Sequence, residues 1–177
     1  MTRELAIREV GTEATDALAA LLVEVTAAGA SVGFMHPLAP AKARAWWQNA
    51  LADAARGGRV VFGAFAGAAL AGTVTLYTAL PENQPHRAEI MKLQVGLAFR
   101  KRGVGAELMR AAEARAATLG RTLLVLDTAS DDARRLYERL AWIRAGDVPD
   151  YALWPDGRPC ATTFYWKRLA LTAARTA

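Results

Sequence analysis

The segment 89–119 constrains this chain most, because it joins a strand pattern to a helix pattern through a basic, glycine-containing turn. Apolar residues crowd its first part, from Ile90 to Leu97, as in a buried strand. Its second part, from Val104 to Leu119, carries one apolar stripe at helical spacing. The first turn of a helix has unpaired N–H groups and partial positive charge. The turn therefore predicts a phosphate or pyrophosphate site.

Two other phosphate-binding motifs compare poorly with this turn. A P-loop carries Lys and then Ser or Thr after its last glycine, whereas Ala and Glu follow Gly105. A dinucleotide-binding motif is the closer rival, since the two glycines are followed by a helix, a strand at 122–126 and Asp127. Its third glycine would fall at Leu108, however, and three cations precede Gly103 where that motif has an apolar strand end. A turn that binds no ligand is the other alternative.

Two separated motifs in this chain resemble those of the GNAT acetyltransferases. The turn reads Arg100-x-x-Gly103-x-Gly105, which resembles the family's pyrophosphate signature Gln/Arg-x-x-Gly-x-Gly/Ala. The later segment 133–142, ARRLYERLAW, resembles the family's second block, A-x-x-L-Y-x-x-x-G-F. The closer resemblance is to the branch typified by tabtoxin resistance protein, and it is carried by residues 85–89, 123–128, 151–157 and 164–167. It covers residues 81–169, and the first eighty residues match only loosely.

The resemblance implies an α/β (α+β) fold, the GNAT fold, with a central mixed, mostly antiparallel sheet of about seven strands and four helices on both faces. The hydrophobic periodicity predicts the same elements. Besides the central strand and the long helix, we predict strands at 5–10, 59–66, 70–80, 122–127, 143–147 and 162–168, and helices from residue 12 or 16 to about 28, at 40–56 and at 131–140. We expect one domain over residues 1–169 and a weakly anchored tail at 170–177.

Composition and charge exclude several classes of function. Hydrophobic residues make up 53% of the 177 residues, which argues against general disorder. The net charge of +5 comes without a run of five cations, so we expect an anion site and no nucleic-acid partner. His36, His86 and the single Cys160 lack metal-ligand spacing, so we expect no metal. The lone cysteine and the absence of an apolar leader predict a cytoplasmic protein that does not enter the membrane.

The resemblance implies that acetyl-CoA is the acetyl donor and that the backbone holds it. The turn at 100–105 would bind the pyrophosphate, and a backbone N–H at the end of the central strand would bind the thioester carbonyl. The strands should splay there to admit the pantetheine arm, and Gly96 is compatible with a bulge or bend at that point. The residues assigned to the cofactor are Leu93, Gln94, Val95, Arg100, Lys101, Arg102, Gly103, Val104, Gly105, Asp131 and Arg134.

Three side chains are candidates for the chemistry of acetyl transfer to an amine. An amine with a pKa near 10.4 is deprotonated to only about one part in two thousand at pH 7, so a base is required. Glu89 and Asp127 are carboxylates that two neighbouring central strands would bring together. The resemblance places a glutamate base at Glu89 and a phenol facing the leaving sulfur at Tyr137. The alternatives are an ion pair of Glu89 with Arg87 or Lys92, a cap or turn role for Asp127, and simple packing for Tyr137.

The acceptor implied by the resemblance is a primary amine of a small polar amino compound, similar to an amino acid or a dipeptide, such as a toxin or an antibiotic. The segments 31–36, 81–87 and 150–158 should line its pocket. Trp46 and Trp47 are interpreted as core residues, with a binding platform as the alternative. A protein or peptide amine is an alternative acceptor, and a non-catalytic acyl-CoA- or dinucleotide-binding module is the alternative to an enzyme. A homodimer is compatible with the resemblance.

Overall fold

The structure, a computed structural model, describes residues 5–170. Within this range seven strands and four α-helices follow one another in the predicted order. The strands are β1 (Leu5–Glu9), β2 (Arg59–Ala66), β3 (Ala69–Tyr77), β4 (Arg87–Val95), β5 (Leu123–Thr128), β6 (Ile143–Leu153) and β7 (Pro159–Arg168). The helices are α1 (Thr15–Ala27), α2 (Pro40–Ala55), α3 (Val104–Thr118) and α4 (Asp131–Arg139). The predicted tail lies outside the described residues, except for Ala170.

All seven strands belong to one sheet, in the spatial order β1-β2-β3-β4-β5-β7-β6. Every neighbouring pair is antiparallel except β4 and β5, which run parallel. A parallel pair needs a long crossover, and α3 supplies it because it lies between β4 and β5 in the chain. The predicted mixed, mostly antiparallel sheet with four helices is therefore confirmed for the described part of the chain.

Two hydrophobic cores cover the two faces of the sheet. One core joins Phe62 of β2 to Leu108 of α3 and to Tyr137 of α4. The other joins Val61 of β2 to the residues of α1 and α2, among them the fully buried Trp47. Neighbouring residues of a strand point to opposite faces, so Val61 and Phe62 enter different cores. Within residues 5–170 we find no helix with the length and apolar character needed to cross a membrane.

A buried polar network fixes α3 to the strand at the far side of its core. The Glu113 carboxylate of α3 accepts hydrogen bonds from Trp142 Nε1 at 2.8 Å and from Lys167 Nζ at 2.7 Å. Lys167 also donates to the carbonyl of Leu140, at the end of α4, at 2.7 Å. The side chains of Glu113 and Lys167 are only 14% and 21% exposed. Each charge has lost much of its hydration and depends on the other for compensation.

The last hairpin is longer than the sequence predicted. β6 continues to Leu153, because Leu153 pairs with Pro159 on β7. The prediction of a strand ending at residue 147 was wrong because Pro149 and Asp150, two turn-forming residues, lie inside an irregular stretch of this strand. β6 is an edge strand, and an edge strand tolerates proline because one side of its backbone has no partner. The loop predicted at 150–158 is reduced to a turn at 154–158.

Candidate active site

The parallel strands β4 and β5 separate at the centre of the sheet. They pair at three successive positions, the last being Glu89 with Val125, and no further pair follows among the described residues. Both strands nevertheless continue, β4 to Val95 and β5 to Thr128. The facing backbone groups beyond Glu89 have no strand partner on this side, so they are free to bind a ligand. The splay expected from the sequence lies here.

The irregularity in β4 lies at Lys92 and not at Gly96. The register with β3 gains one residue between Met91 and Gln94, which is a β-bulge. Lys92 adopts φ +55°, a left-handed conformation that costs a non-glycine residue about 1–2 kcal/mol. Gly96 instead has φ −56° and precedes a short 3₁₀ helix, Leu97–Phe99. Gly96, which the sequence left compatible with a bulge or bend, therefore does not form the bulge.

Glu89 is half-buried at the last paired position of β4. Its Oε1 accepts a hydrogen bond from Arg87 Nη1 at 2.8 Å. Arg87 is itself held by Gln84, whose Oε1 accepts from the Arg87 Nε at 3.0 Å and from Nη2 at 2.6 Å. The ion pair given above as the alternative role of Glu89 is present. This ion pair occupies Oε1 of the Glu89 carboxylate and leaves Oε2 available to bind a ligand.

Asp127 lies on β5 two residues beyond Val125, so its side chain is on the same face of the sheet as that of Glu89. Asp127 is exposed, although the surrounding protein still removes part of the hydration of its carboxylate. This partial burial raises the pKa of Asp127, the negative charge of Glu89 raises it further, and the Lys92 ammonium opposes both. The two predicted carboxylates are brought together at the splay.

Lys92 is a charged residue of this site that the sequence analysis named only as an alternative ion-pair partner of Glu89. Burial lowers the pKa of Lys92, the charge of Asp127 opposes that effect, and Arg59 on β2 adds to it. The signal in the sequence was a single lysine inside the apolar run of the central strand. Its left-handed backbone had no such signal, because lysine has no special preference for that conformation.

Tyr137 lies on α4 and is 5% exposed. Its ring packs near those of Trp142 and Tyr165, with ring centroids 6.1 and 5.8 Å away. Burial raises the pKa of Tyr137 far above its ordinary value, and the negative charge of Asp127 raises it further. The phenol therefore stays protonated at neutral pH, and its hydroxyl lies within electrostatic reach of the Asp127 carboxylate.

The basic turn lies between the short 3₁₀ helix and α3, as predicted. Arg100, Lys101 and Arg102 are exposed. Lys101, at φ +59°, and Gly103, at φ +82°, are left-handed, and such backbone forms concavities lined with N–H groups that bind anions. No side chain caps the start of α3 at Val104, so the N–H groups of its first turn are available to a phosphate.

Gly105 allows α3, α4 and β4 to approach one another beside this turn. A Cβ at Gly105 would lie 3.1 Å from Leu136 Cδ2 on α4 and 3.8 Å from Val95 Cγ2 on β4. α4 itself begins where expected, because Ser130 Oγ accepts a hydrogen bond from Ala133 N at 3.3 Å. The glycine thus lets α4 pack closely against the first turn of α3.

The predicted cofactor residues on α4 pair with each other. Arg134 Nη2 lies 2.6 Å from Asp131 Oδ1, while Arg134 Nε is buried without a hydrogen-bond partner. The neighbouring Asp132 is exposed, and its pKa is lowered by the hydrogen bond from Arg135 and also by the charges of Lys101 and Arg100. The start of α4 therefore lies close to the basic turn.

The predicted cofactor residues on β4 follow the last pair with β5. Leu93 and Val95 are half-buried, and Gln94 is 3% exposed. Both polar atoms of the Gln94 side chain are buried without a hydrogen-bond partner. What this stretch offers a ligand in the gap is therefore its backbone, as the sequence analysis expected.

Two of the three predicted acceptor segments meet. His36 N donates a hydrogen bond to the carbonyl of Pro155 at 3.0 Å, which joins the loop after α1 to the turn at 154–158. A cavity of about 320 Å³ lies between them. It is lined by Thr26, Ala27, Ala28, Gly29, His36, Trp154, Pro155, Asp156 and Arg158. Neither the segment 81–87 nor any of the three candidate catalytic residues lines it.

A family model matches most of this chain. Residues 21–142 match the acetyltransferase (GNAT) family. The chain belongs to the GNAT acetyltransferase family. It is an N-acetyltransferase, of class EC 2.3.1.-. The motifs at 100–105 and 133–142 fall within the matched region, so the prediction of the family and of an enzyme is confirmed.

Solved structures share the GNAT fold with this enzyme at low sequence identity. An N-acetyltransferase from Staphylococcus aureus Mu50 is 18% identical, with a TM-score of 0.80 over 94% of this chain and 99% of that chain. yncA from Salmonella typhimurium, with its cofactor acetyl-CoA, is 19% identical, with a TM-score of 0.78 over 98% of each chain. Ribosomal-protein-alanine N-acetyltransferase from Brucella melitensis is 18% identical, with a TM-score of 0.77 over 93% and 99%. Such likeness shows the fold alone.

Proposed function

We propose that this GNAT enzyme acetylates the primary amine of a small amino compound, similar to an amino acid or a dipeptide, with Asp127 as the base, Glu89 as its partner and Tyr137 as the acid. The observation that carries the proposal is the meeting of Glu89 and Asp127 where β4 and β5 stop pairing. The resemblance of residues 85–89 and 151–157 to the tabtoxin-resistance branch supports a small amino compound as the acceptor, including a toxin or an antibiotic.

The residues present fit acetyl-CoA. The edge of β4 from Leu93 to Val95 that does not pair with β5 offers backbone groups along the gap, and Gly105 lets α3, α4 and β4 approach one another beside it. The basic turn would hold the pyrophosphate through N–H groups, and each such charge-assisted bond is worth about 1.5–3 kcal/mol. When bound, acetyl-CoA supplies the acetyl group as a thioester. Asp131 and Arg134 would contribute from the start of α4, which lies close to the basic turn.

The base must take a proton from an ammonium whose pKa is near 10.4. Asp127 suits this role better than Glu89, because its pKa is raised and because Glu89 is engaged by Arg87. Two carboxylates at one site also attract a cationic amine, so Glu89 can orient the acceptor while Asp127 accepts the proton. A positioned base of this kind contributes roughly 10²–10⁴ in rate.

The acid must stabilise the sulfur that leaves. Tyr137 stays protonated at neutral pH because burial and the charge of Asp127 raise its pKa. Its hydroxyl therefore keeps the proton with which it can donate a hydrogen bond to the leaving sulfur and stabilise the charge that develops there. A phenol that ionised easily would present a negative charge to the sulfur and would oppose the same step.

The closed arrangement of the acceptor loops favours a small molecule over a protein substrate. The bond from His36 N to the carbonyl of Pro155 closes the loop after α1 against the hairpin turn. The cavity of about 320 Å³ beside this bond is lined by none of the candidate catalytic residues, so it is not assigned to the acceptor. An extended peptide would require these two segments to open.

The test is a thiol-release assay with acetyl-CoA and a panel of amino acids, dipeptides and one longer peptide with a free N-terminus. Asp127→Asn should lower kcat/KM by roughly 10²–10⁴. Glu89→Gln removes a charge that raises the pKa of Asp127, so activity should persist to lower pH than in the wild type. Glu107→Gln, an exposed carboxylate of α3, is the control. Unshifted pH profiles in both active-site variants would reject the carboxylate base, and acetylation of the longer peptide alone would reject the small acceptor.

A further inference from the structure

Lys92 stands out because its side chain leaves the central strand and reaches the loop between α1 and α2. Its Nζ donates a hydrogen bond to the carbonyl of Val32 at 2.5 Å. The same nitrogen lies 5.5 Å from the ring centroid of Phe34 and 5.2 Å from that of Trp46, which are cation–π distances. One ammonium therefore binds a loop carbonyl and two aromatic faces.

The loop is shaped to approach this ammonium closely. Gly33 has φ +85°, and a Cβ at that position would lie 3.0 Å from Lys92 Nζ. Phe34 and Trp46 pack edge to face, with centroids 5.9 Å apart, so the loop and α2 form one wall around the lysine. A larger residue at position 33 would displace the ammonium or the loop.

The bulge explains how Lys92 reaches this wall. One extra residue between Met91 and Gln94 turns the Lys92 side chain away from the regular alternation of β4. The charges that act on its ammonium are Asp127 on β5 and Arg59 on β2, while Glu89 on β4 acts on Asp127. The ammonium thus lies between the acceptor loop and the carboxylate pair.

We propose that Lys92 is a positioning residue that clamps the loop 31–36 to the central bulge and stabilises the negative charge of Asp127. This inference rests on the proposed function, in which Asp127 is the base and the loop lines the acceptor pocket. The clamp keeps the loop in place before an acceptor binds. The same ammonium keeps Asp127 ionised, and therefore able to accept a proton, to a lower pH than burial and Glu89 would otherwise allow.

The experiment needs no acceptor, so it is independent of whether the proposed reaction occurs. Carboxyl carbons of aspartate and glutamate are labelled with ¹³C, the Asp127 signal is assigned with Asp127→Asn, and its titration is followed by NMR. Amide hydrogen exchange of residues 31–36 is measured on the same proteins. Lys92→Met removes the charge, and Lys92→Gly keeps the bulge without strain because glycine adopts positive φ readily. Lys42→Met, at an exposed position on α2, is the matched control.

In both Lys92 variants the pKa of Asp127 should rise, and the amides of 31–36 should exchange faster than in the wild type. Lys92→Arg should keep the wild-type titration, because it keeps the charge. Trp46→Leu should speed exchange in the loop and leave the Asp127 titration unchanged. The proposal is overturned if Asp127 titrates alike in wild type and Lys92→Gly, or if the loop amides exchange alike in the two proteins. An enzyme that acetylates no amine but shows both changes would refute the reaction and leave the clamp standing.

Discussion

Gly103 and Gly105 flank the start of α3, and the structure predicts different consequences for replacing each by alanine: a loss of stability at Gly103 and a loss of CoA affinity at Gly105. At Gly103 the backbone is left-handed, with φ +82° and ψ −6°, and nothing lies within 4 Å of a Cβ. Alanine there meets no clash but must hold a conformation that costs about 1–2 kcal/mol. Alanine also restricts the unfolded chain more than glycine does, which offsets about 0.4–1 kcal/mol of this cost. Gly103→Ala should therefore lower the free energy of unfolding by roughly 1 kcal/mol.

Gly105 is helical, so alanine there favours the helix by up to about 1 kcal/mol. Its Cβ would lie 3.1 Å from Leu136 Cδ2, and the leucine must move by a few tenths of an ångström. We expect these two effects on stability to offset each other, which leaves Gly105→Ala close to the wild type. The contact with Leu136 nevertheless pushes α4 away from the first turn of α3. Where that shift costs one N–H contact to the pyrophosphate, affinity for CoA should fall roughly 10- to 150-fold.

The assay pairs urea unfolding with calorimetric titration of CoA on both variants. Gly103→Ala should shift the unfolding midpoint at constant m-value and lower Tm by roughly 2–4 °C for a chain of this size. Gly103→Asn is the control, since asparagine enters the left-handed region more easily. A Gly103→Ala protein as stable as the wild type would refute the backbone argument. Wild-type CoA affinity in Gly105→Ala would show that close packing between Gly105 and Leu136 is not needed for CoA binding.

Three further variants test the acid, the base and the buried network. Tyr137→Phe should lower turnover at saturating acetyl-CoA by roughly 10²–10⁴, and unchanged turnover would exclude the phenol as the acid. Asp127→Asn should be more stable than the wild type at pH 7, because the raised pKa of Asp127 means that folding disfavours its charge. That stability penalty appears as pH rises through the ordinary aspartate pKa, so in urea melts the gain of the variant should vanish near pH 3. A gain independent of pH would contradict this prediction. Glu113→Gln should cost about 1–3 kcal/mol because the largely buried Lys167 loses its carboxylate partner and keeps only the bond to the Leu140 carbonyl. The exposed control Glu107→Gln should cost less than about 1 kcal/mol in the same melts, and similar losses would refute the difference in burial.

The sequence predicted the order of the strands and helices because hydrophobic periodicity reports directly on which face of each element is buried. It also predicted that Glu89 and Asp127 would meet, since each lies on one of two neighbouring central strands. The start of α4 at residue 131 was predicted for a similarly local reason, and Ser130, a residue type that favours the position before a helix, caps it. Each of these predictions depends on a short stretch of chain.

The failures have a different physical origin. Pro149 and Asp150 are residue types that predict a turn. They are compatible with a strand only because β6 lies at the edge of the sheet. Gly96 is a residue type compatible with a bulge or bend, but the extra residue of β4 lies at Lys92 because of how β3 and β4 pair. The sequence narrowed the ion-pair partner of Glu89 to Arg87 or Lys92 but did not distinguish between the two. The first two outcomes depend on contacts between segments distant in the chain, and Lys92 is likewise drawn away from Glu89 by its bond to Val32 in a distant loop.

The bulge at Lys92 shows why a local rule can fail at a functional site. Glycine at position 92 would hold φ +55° without the cost of about 1–2 kcal/mol that a lysine bears, so the fold alone does not require a side chain there. The strain is tolerated because the hydrogen bond to Val32 and the faces of Phe34 and Trp46 fix the ammonium in place. Those contacts matter only for a residue with a cationic end. The strained backbone therefore serves to place a positive charge between the acceptor loop and Asp127.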